Sequence, residues 1–179
     1  MRVLGVDPGS RRTGYGVVEK QGNRFHCVLH GHVSPKSTLP LAEKLLLIAR
    51  EVGEVIDRVA PDCVVIEEAF YHESVRSILV LGHVRGALMV AAAQRGIEVA
   101  EYSPREIKLS VTGNGAAAKE QVAFMVRRLM GLTGTLQSDA ADALAGAVCH
   151  LSKARFTAPR ASSPAARRLE ALLASKGNR

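Results

Sequence analysis

Between residues 33 and 41 the hydrophobic repeat of the chain changes period, and that change limits the folds open to it. Before it lie a short apolar run at 2–7, a stretch from Thr13 to Lys20 carrying Tyr15, Val17 and Val18, and Phe25 to Val33 with mixed alternation. Turn-forming residues, Asp7-Pro8-Gly9-Ser10 and Gln21-Gly22-Asn23, separate the three. Short apolar or alternating runs bounded this way read as strands, and consecutive strands joined by tight turns pair antiparallel. After it, Leu41, Leu45, Ile48, Val52, Val55 and Val59 recur every three or four residues and stop before Pro61, which marks an amphipathic helix. Cys63 to Ile66 is fully apolar, as expected of a strand covered by helices on both faces. Helices over 75–94, 117–130 and 138–151, a strand over 97–102 and a short helix opened by Pro104 complete the order βββ-α-β-α-β-ααα. The class is α/β, with a mixed five-stranded sheet of three antiparallel and then parallel strands flanked by helices.

A chain of 179 residues holds one well-buried domain, here 1–156. No apolar run approaches the roughly 18 residues of a membrane span, and the apolar stretch after Arg2 runs at once into Asp7-Pro8-Gly9, unlike a signal peptide. A cytoplasmic location is expected. Cys27, Cys63 and Cys149 form no CxxC pair and read as buried thiols. The charge of +7 favours a polyanionic partner. Most of it is terminal: from Lys153 onward seven Lys and Arg face only Glu170, a balance of +6. Residues 157–179, rich in Ala, Pro, Ser, Gly and Arg, read as a basic, disordered tail, which by itself is often merely solvated.

Four carboxylates stand where elements start or stop. Asp7 ends the first apolar strand, Glu67 ends Cys63-Val64-Val65-Ile66, and Asp139 and Asp142 share one face of the last helix, with Ser138 as its cap. Glu68 points the other way under a two-residue period, so one of the pair Glu67 and Glu68 joins the cluster. Each acid also has a plain reading: Asp7 as an Asx-turn residue, and Asp139 with Asp142 as acids favoured by the helix dipole. Acids gathered without matching bases repel one another, which a divalent cation relieves. All-oxygen ligation suits Mg²⁺ or Mn²⁺ rather than zinc, and two such ions about 4 Å apart serve in-line attack on phosphorus.

The segments Gly5-Val6-Asp7-Pro8-Gly9-Ser10-Arg11-Arg12-Thr13-Gly14-Tyr15-Gly16-Val17, Ile66-Glu67-Glu68-Ala69-Phe70, Lys119-Glu120-Gln121-Val122 and Ser138-Asp139-Ala140-Ala141-Asp142-Ala143-Leu144-Ala145 together resemble the RuvC family of Holliday-junction resolvases. The resemblance implies a ribonuclease H-like fold and a metal-dependent endonuclease that nicks four-way DNA junctions in pairs, leaving 5′-phosphate and 3′-hydroxyl ends during recombination and repair. It selects Glu67 over Glu68 and implies Asp7, Glu67, Asp139 and Asp142 as ligands of two Mg²⁺ or Mn²⁺ ions. It gives Lys119 a role on the transferring phosphate. Lys108 is expected as a second phosphate contact, with Arg76, Arg85 and Arg105 as weaker ones, and Phe70 as an aromatic stacking at the opened junction centre. It also implies RuvA and RuvB, the branch-migration proteins, as partners.

Matched cuts in two strands call for two sites related by a two-fold axis, hence a homodimer; the small residues Gly82, Gly86, Ala87, Ala91 and Ala92 would allow close approach of helix 75–94. Three other classes compete with this one. An actin-like ATPase needs two such domains, and the loop 113–119 lacks the Gly-Lys-Ser/Thr ending of a P-loop. A non-catalytic DNA-binding module does not account for four acids aimed at phosphates. Another ribonuclease H-like nuclease, acting on a different branched or RNA-containing substrate, is excluded only by the resemblance.

Overall fold

The computed structural model describes residues 1–68 and 74–154. Strands β1 (Arg2–Asp7), β2 (Thr13–Gln21), β3 (Arg24–Val33), β4 (Cys63–Glu67) and β5 (Glu98–Tyr102) form one sheet in the order β3-β2-β1-β4-β5. The first three pair antiparallel, while β1 with β4 and β4 with β5 pair parallel. The helices are α1 (Leu41–Val59), α2 (Val75–Ala93), α3 (Pro104–Thr112), α4 (Lys119–Met130) and α5 (Ser138–Lys153). The order expected from sequence is therefore the order observed.

Alternation along the strands sorts side chains into two core layers. Val3, Val18, Cys63 and Val65 pack with residues of α3, α4 and α5, whereas Leu4, Val6, Val17, Val64 and Ile66 pack with Ile48, Val52, Ile56, Val84 and Leu88 of α1 and α2. Each such Val, Leu or Ile removed from water contributes about 1.5–3 kcal/mol, so the sheet is fixed from both sides. β3 also serves both layers, but not by simple alternation. A bulge between the pairs Val17↔Leu29 and Val18↔Cys27 leaves Val28 extra and 43% exposed; Phe25 and Cys27 then face α5's layer and Leu29 and Val33 face α1's.

Helix α5 crosses β1 and β2 on glycine. Gly5 and Gly16 are register partners, as are Asp7 and Gly14. A Cβ on Gly5 would lie 1.9 Å from the Ala143 carbonyl oxygen, one on Gly16 would lie 2.5 Å from Leu144 Cγ, and one on Gly14 would lie 2.1 Å from the Asp139 carbonyl oxygen. Three missing side chains let the helix backbone lie directly on the sheet.

Several boundaries differ from the sequence reading for local reasons. α5 begins after an extended Gln137, with no side-chain cap, so Ser138 is already helical and is not the cap. α4 begins at Lys119 because Ala118 is extended, its N–H accepted by Gln121 Oε1 at 2.9 Å. α3 carries a full capping box between Ser103 and Glu106. The small residues of α2 do not share one face: Ala91 and Ala92 are buried in the core, while Gly82 and Gly86 would meet nothing within 4 Å. Among the described residues α2 is the stretch long and apolar enough, by length and composition, to cross a membrane, which the sequence reading did not single out; in the fold its Val84 and Leu88 are core residues.

Candidate active site

Asp7 is the last residue of β1 and Glu67 the last of β4. Parallel pairing sets Val6 beside Ile66, so both carboxylates leave neighbouring strands at the same carboxyl edge, where open α/β sheets place ligands. Asp7 shares its face with Val3 and Gly5, and Glu67 with Cys63 and Val65, the face covered by α5. Glu68 falls on the opposite parity, and its backbone N–H donates to the Tyr102 carbonyl at 3.0 Å. Asp139 lies in the first turn of α5, its backbone on Gly14, the strand partner of Asp7; Asp142 follows one turn later. Three separate segments thus bring four acids together.

Their electrostatics follow from that gathering. Burial, then repulsion by Glu67, Asp142 and Asp139, pushes the Asp7 carboxyl up to about 8 against the pull of Lys119. Burial and then Asp142 push Glu67 up to about 7, with Lys119 and Lys108 opposing. Asp142 is raised by burial, although Lys119 and Lys108 act against the shift. Two acids lean on cations: Lys119 Nζ is 3.4 Å from Asp142 Oδ2, and Arg12 Nη1 is 3.5 Å from Asp139 Oδ2. The Asp142 charge is the main cause of a raised Lys119.

Among the described residues, no three His, Cys, Asp or Glu side chains stand close enough as placed to hold a metal ion. The chemistry of the set nevertheless fits a hard divalent cation. All donors are carboxylate oxygens, two of them are desolvated enough to hold protons near neutral pH, and among the described residues two nearby lysines and one arginine offset the excess negative charge. Ligation requires Asp139 and Asp142 to exchange Arg12 and Lys119 for the ion.

The basic residues divide. Lys119 and Lys108 act on the acids. Arg105 lies against Gly115 of the α3–α4 loop, and Arg76 is exposed in the first turn of α2. Arg85 is paired with Glu101 of β5 and ties α2 to the sheet edge. Phe70 lies outside the described residues. Two open grooves, of about 450 and 420 Å³, flank exposed Phe124 on α4 rather than the acids; neither contains a titratable cluster, so the chemistry is assigned to the strand ends. The sequence reading missed Arg12 and the glycine bed beneath α5. Gly14 and Gly16 in a strand were a signal for close backbone approach; nothing comparable marked Arg12.

A mixed sheet of this order, with acids at the carboxyl ends of β1 and β4 and on the crossing helix, defines a ribonuclease H-like nuclease. The profile of the family "Crossover junction endodeoxyribonuclease RuvC" matches residues 3–150. The RuvC of Hyphomonas neptunium is 48% identical over 149 residues, 83% of this chain and 89% of that protein, and that of an Anaeromyxobacter species is 50% identical over 153 residues, 86% and 74%. The solved structure of Thermus thermophilus RuvC in complex with Holliday junction substrate superposes with a TM-score of 0.80 at 37% identity, covering 84% of this chain and 93% of that one. This chain belongs to the RuvC family and is a structure-specific endodeoxyribonuclease. Membership implies dependence on a divalent cation.

Proposed function

We propose that this chain resolves four-way (Holliday) DNA junctions by paired symmetric nicks during recombination and repair. The observation that carries the reading is the convergence of Asp7, Glu67, Asp139 and Asp142 from three segments onto one edge, around a carboxyl raised to about 8. The T. thermophilus relative, solved in complex with Holliday junction substrate, supports the substrate. Asp7, Glu67, Asp139 and Asp142 would hold two Mg²⁺ or Mn²⁺ ions. When bound, these would supply an activated water and charge neutralisation at the leaving oxygen. Lys119 at the start of α4 neutralises charge on the transferring phosphate, Lys108 holds the neighbouring backbone, and Arg76 and Arg105 extend the contact along the arms. Phe70 stacks at the opened centre. The products carry 5′-phosphates and 3′-hydroxyls.

Paired cuts require two sites, and the outer stripe of α2 supplies a surface for a two-fold homodimer. Val75, Leu79 and Val90 are 75%, 59% and 56% exposed, and they align at helical spacing with open Gly82 and Gly86. An apolar stripe of this kind, interrupted only by glycine, favours close helix pairing over solvent. The nuclease domain is taken as 1–156, with 157–179 a basic tail; the partners are the branch-migration proteins RuvA and RuvB, and the site of action is the cytoplasm.

Synthetic four-way junctions and linear duplex, offered to wild type and Asp7→Asn with Mg²⁺, Mn²⁺ or EDTA, test the reading. Wild type should nick junctions symmetrically and only with metal, and Asp7→Asn should bind without cutting. Cutting by Asp7→Asn at the wild-type rate would remove Asp7 from the site, and indifference to junction structure would refute the substrate.

A further inference from the structure

Arg12 stands at the end of the β1–β2 turn, on the same sheet edge as Asp7, with one guanidinium nitrogen 3.5 Å from Asp139 Oδ2 and the side chain 50% exposed. The turn that presents it is built tightly. Thr13, fully buried, donates its hydroxyl to the Gly9 carbonyl at 2.7 Å, and the Gly9 N–H is 3.4 Å from the same Thr13 oxygen. A Cβ on Gly9 would lie 2.2 Å from the Arg12 carbonyl oxygen, so the missing side chain allows the turn to close and aims residue 12 at the acids. Lys119 meets Asp142, one turn along α5, in the same manner from α4.

We propose that Arg12 is a second DNA-phosphate contact of the active site, flanking the acid cluster at Asp139 as Lys119 does at Asp142. The inference rests on reading this edge as a phosphodiester-cleaving centre. An arginine carries five donors in a planar fork that matches phosphate oxygens, and the pairing with Asp139 occupies one nitrogen at long range. An exposed ion pair of this kind contributes little to stability, so a phosphate competes for it on favourable terms. When Asp139 serves as a metal ligand its charge is shared, and Arg12 is the cation left at the rim to meet the strand. Arg12 and Lys119 then both offer cations to the backbone, one from the β1–β2 turn and one from α4.

Fluorescence anisotropy in EDTA, where no strand is cut, tests this on both a four-way junction and a linear duplex across a salt series. Arg12→Gln should weaken binding to both DNAs by roughly three- to tenfold near 0.1 M salt, and reduce the slope of log K against log salt by about 1. Arg12→Lys should restore most of the slope but less of the affinity, because the charge returns without the fork. Gly9→Ala, which displaces the turn while keeping Arg12, should reproduce the loss of affinity with the protein still folded by circular dichroism. Arg12→Gln with wild-type affinity and slope overturns the proposal. So does a variant that only lowers the Mg²⁺ concentration needed to raise the melting temperature, since Arg12 would then be solely a counter-ion to Asp139. Equal affinity of wild type for junction and duplex would count against the junction reading, and the salt slope on duplex would still decide for or against Arg12.

Discussion

Replacing Gly14 by alanine tests whether the helix-to-sheet contact sets the position of the acids. The added Cβ would sit 2.1 Å from the Asp139 carbonyl oxygen and 2.8 Å from Asp139 Cβ, whereas such contacts do not fall below 3.0 Å. Strand and helix must therefore separate by about 0.9 Å at that point, and the neighbour is backbone that cannot rotate away. Overpacking of this size costs about 1–3 kcal/mol, which lowers the melting temperature by about 2–4 °C per kcal/mol in a domain of this length. A displacement of about 1 Å in a catalytic group costs on the order of 10²-fold in rate. Single-turnover cleavage of a four-way junction in Mg²⁺ should fall by about that factor while junction binding in EDTA stays within a few-fold. Gly16→Ala is the companion variant: its Cβ meets the Leu144 side chain at 2.5 Å, one turn further along α5, so it loads the same interface away from Asp139. It should lose comparable stability and less rate. Wild-type cleavage by folded Gly14→Ala, or rate losses that merely track stability in both variants, would refute the reasoning.

Other expectations follow from the same geometry. Asp7 and Glu67 rise from 3.8 and 4.5 to about 8 and about 7. The folded protein therefore holds protons that the unfolded chain has released, and metal-free stability should fall as pH climbs from about 4 to about 8. Cation binding needs the deprotonated acids, so melting curves should show a larger Mg²⁺ stabilisation near pH 8 than near pH 5.5; an equal shift at both would contradict the assignment. Leu79→Glu places an unpaired charge on the apolar stripe of α2, a change that costs about 3–5 kcal/mol in a closed interface. Sedimentation should show a folded monomer, and a dimer unchanged in affinity would dismiss that surface. Tyr102→Phe removes the hydroxyl that is 3.0 Å from His150 Nδ1, and with it about 1 kcal/mol; unchanged thermal stability would mean that this bond is solvent-exchanged rather than buried.

The elements and the acids were legible in the sequence for one reason. Each acid ends an apolar run or opens a helix, so periodicity that locates the element also locates the carboxylate. Glu67 and Glu68 differ only in strand parity, and the parity of Cys63 and Val65 decides which faces α5. What the sequence did not convey depends on neighbours distant in the chain. Arg85 reads as a free surface cation until Glu101 of β5 is placed beside it. Ala91 and Ala92 look like Gly82 and Gly86 until the turn of α2 sends one pair inward and the other outward. Arg12 is one of two adjacent arginines in a turn, and only the packing of α5 on Gly14 shows that it meets an acid.

The extra residue in β3 makes the outer strand a two-sided rivet. Were the strand regular through Val28, residues 25, 27, 29 and 33 would share one parity, and Phe25 and Cys27 would turn from the helix that carries two of the acids toward the layer of Leu29 and Val33. The irregularity also bends the free border of the sheet away from the straight, unpaired edge to which a foreign strand would zip.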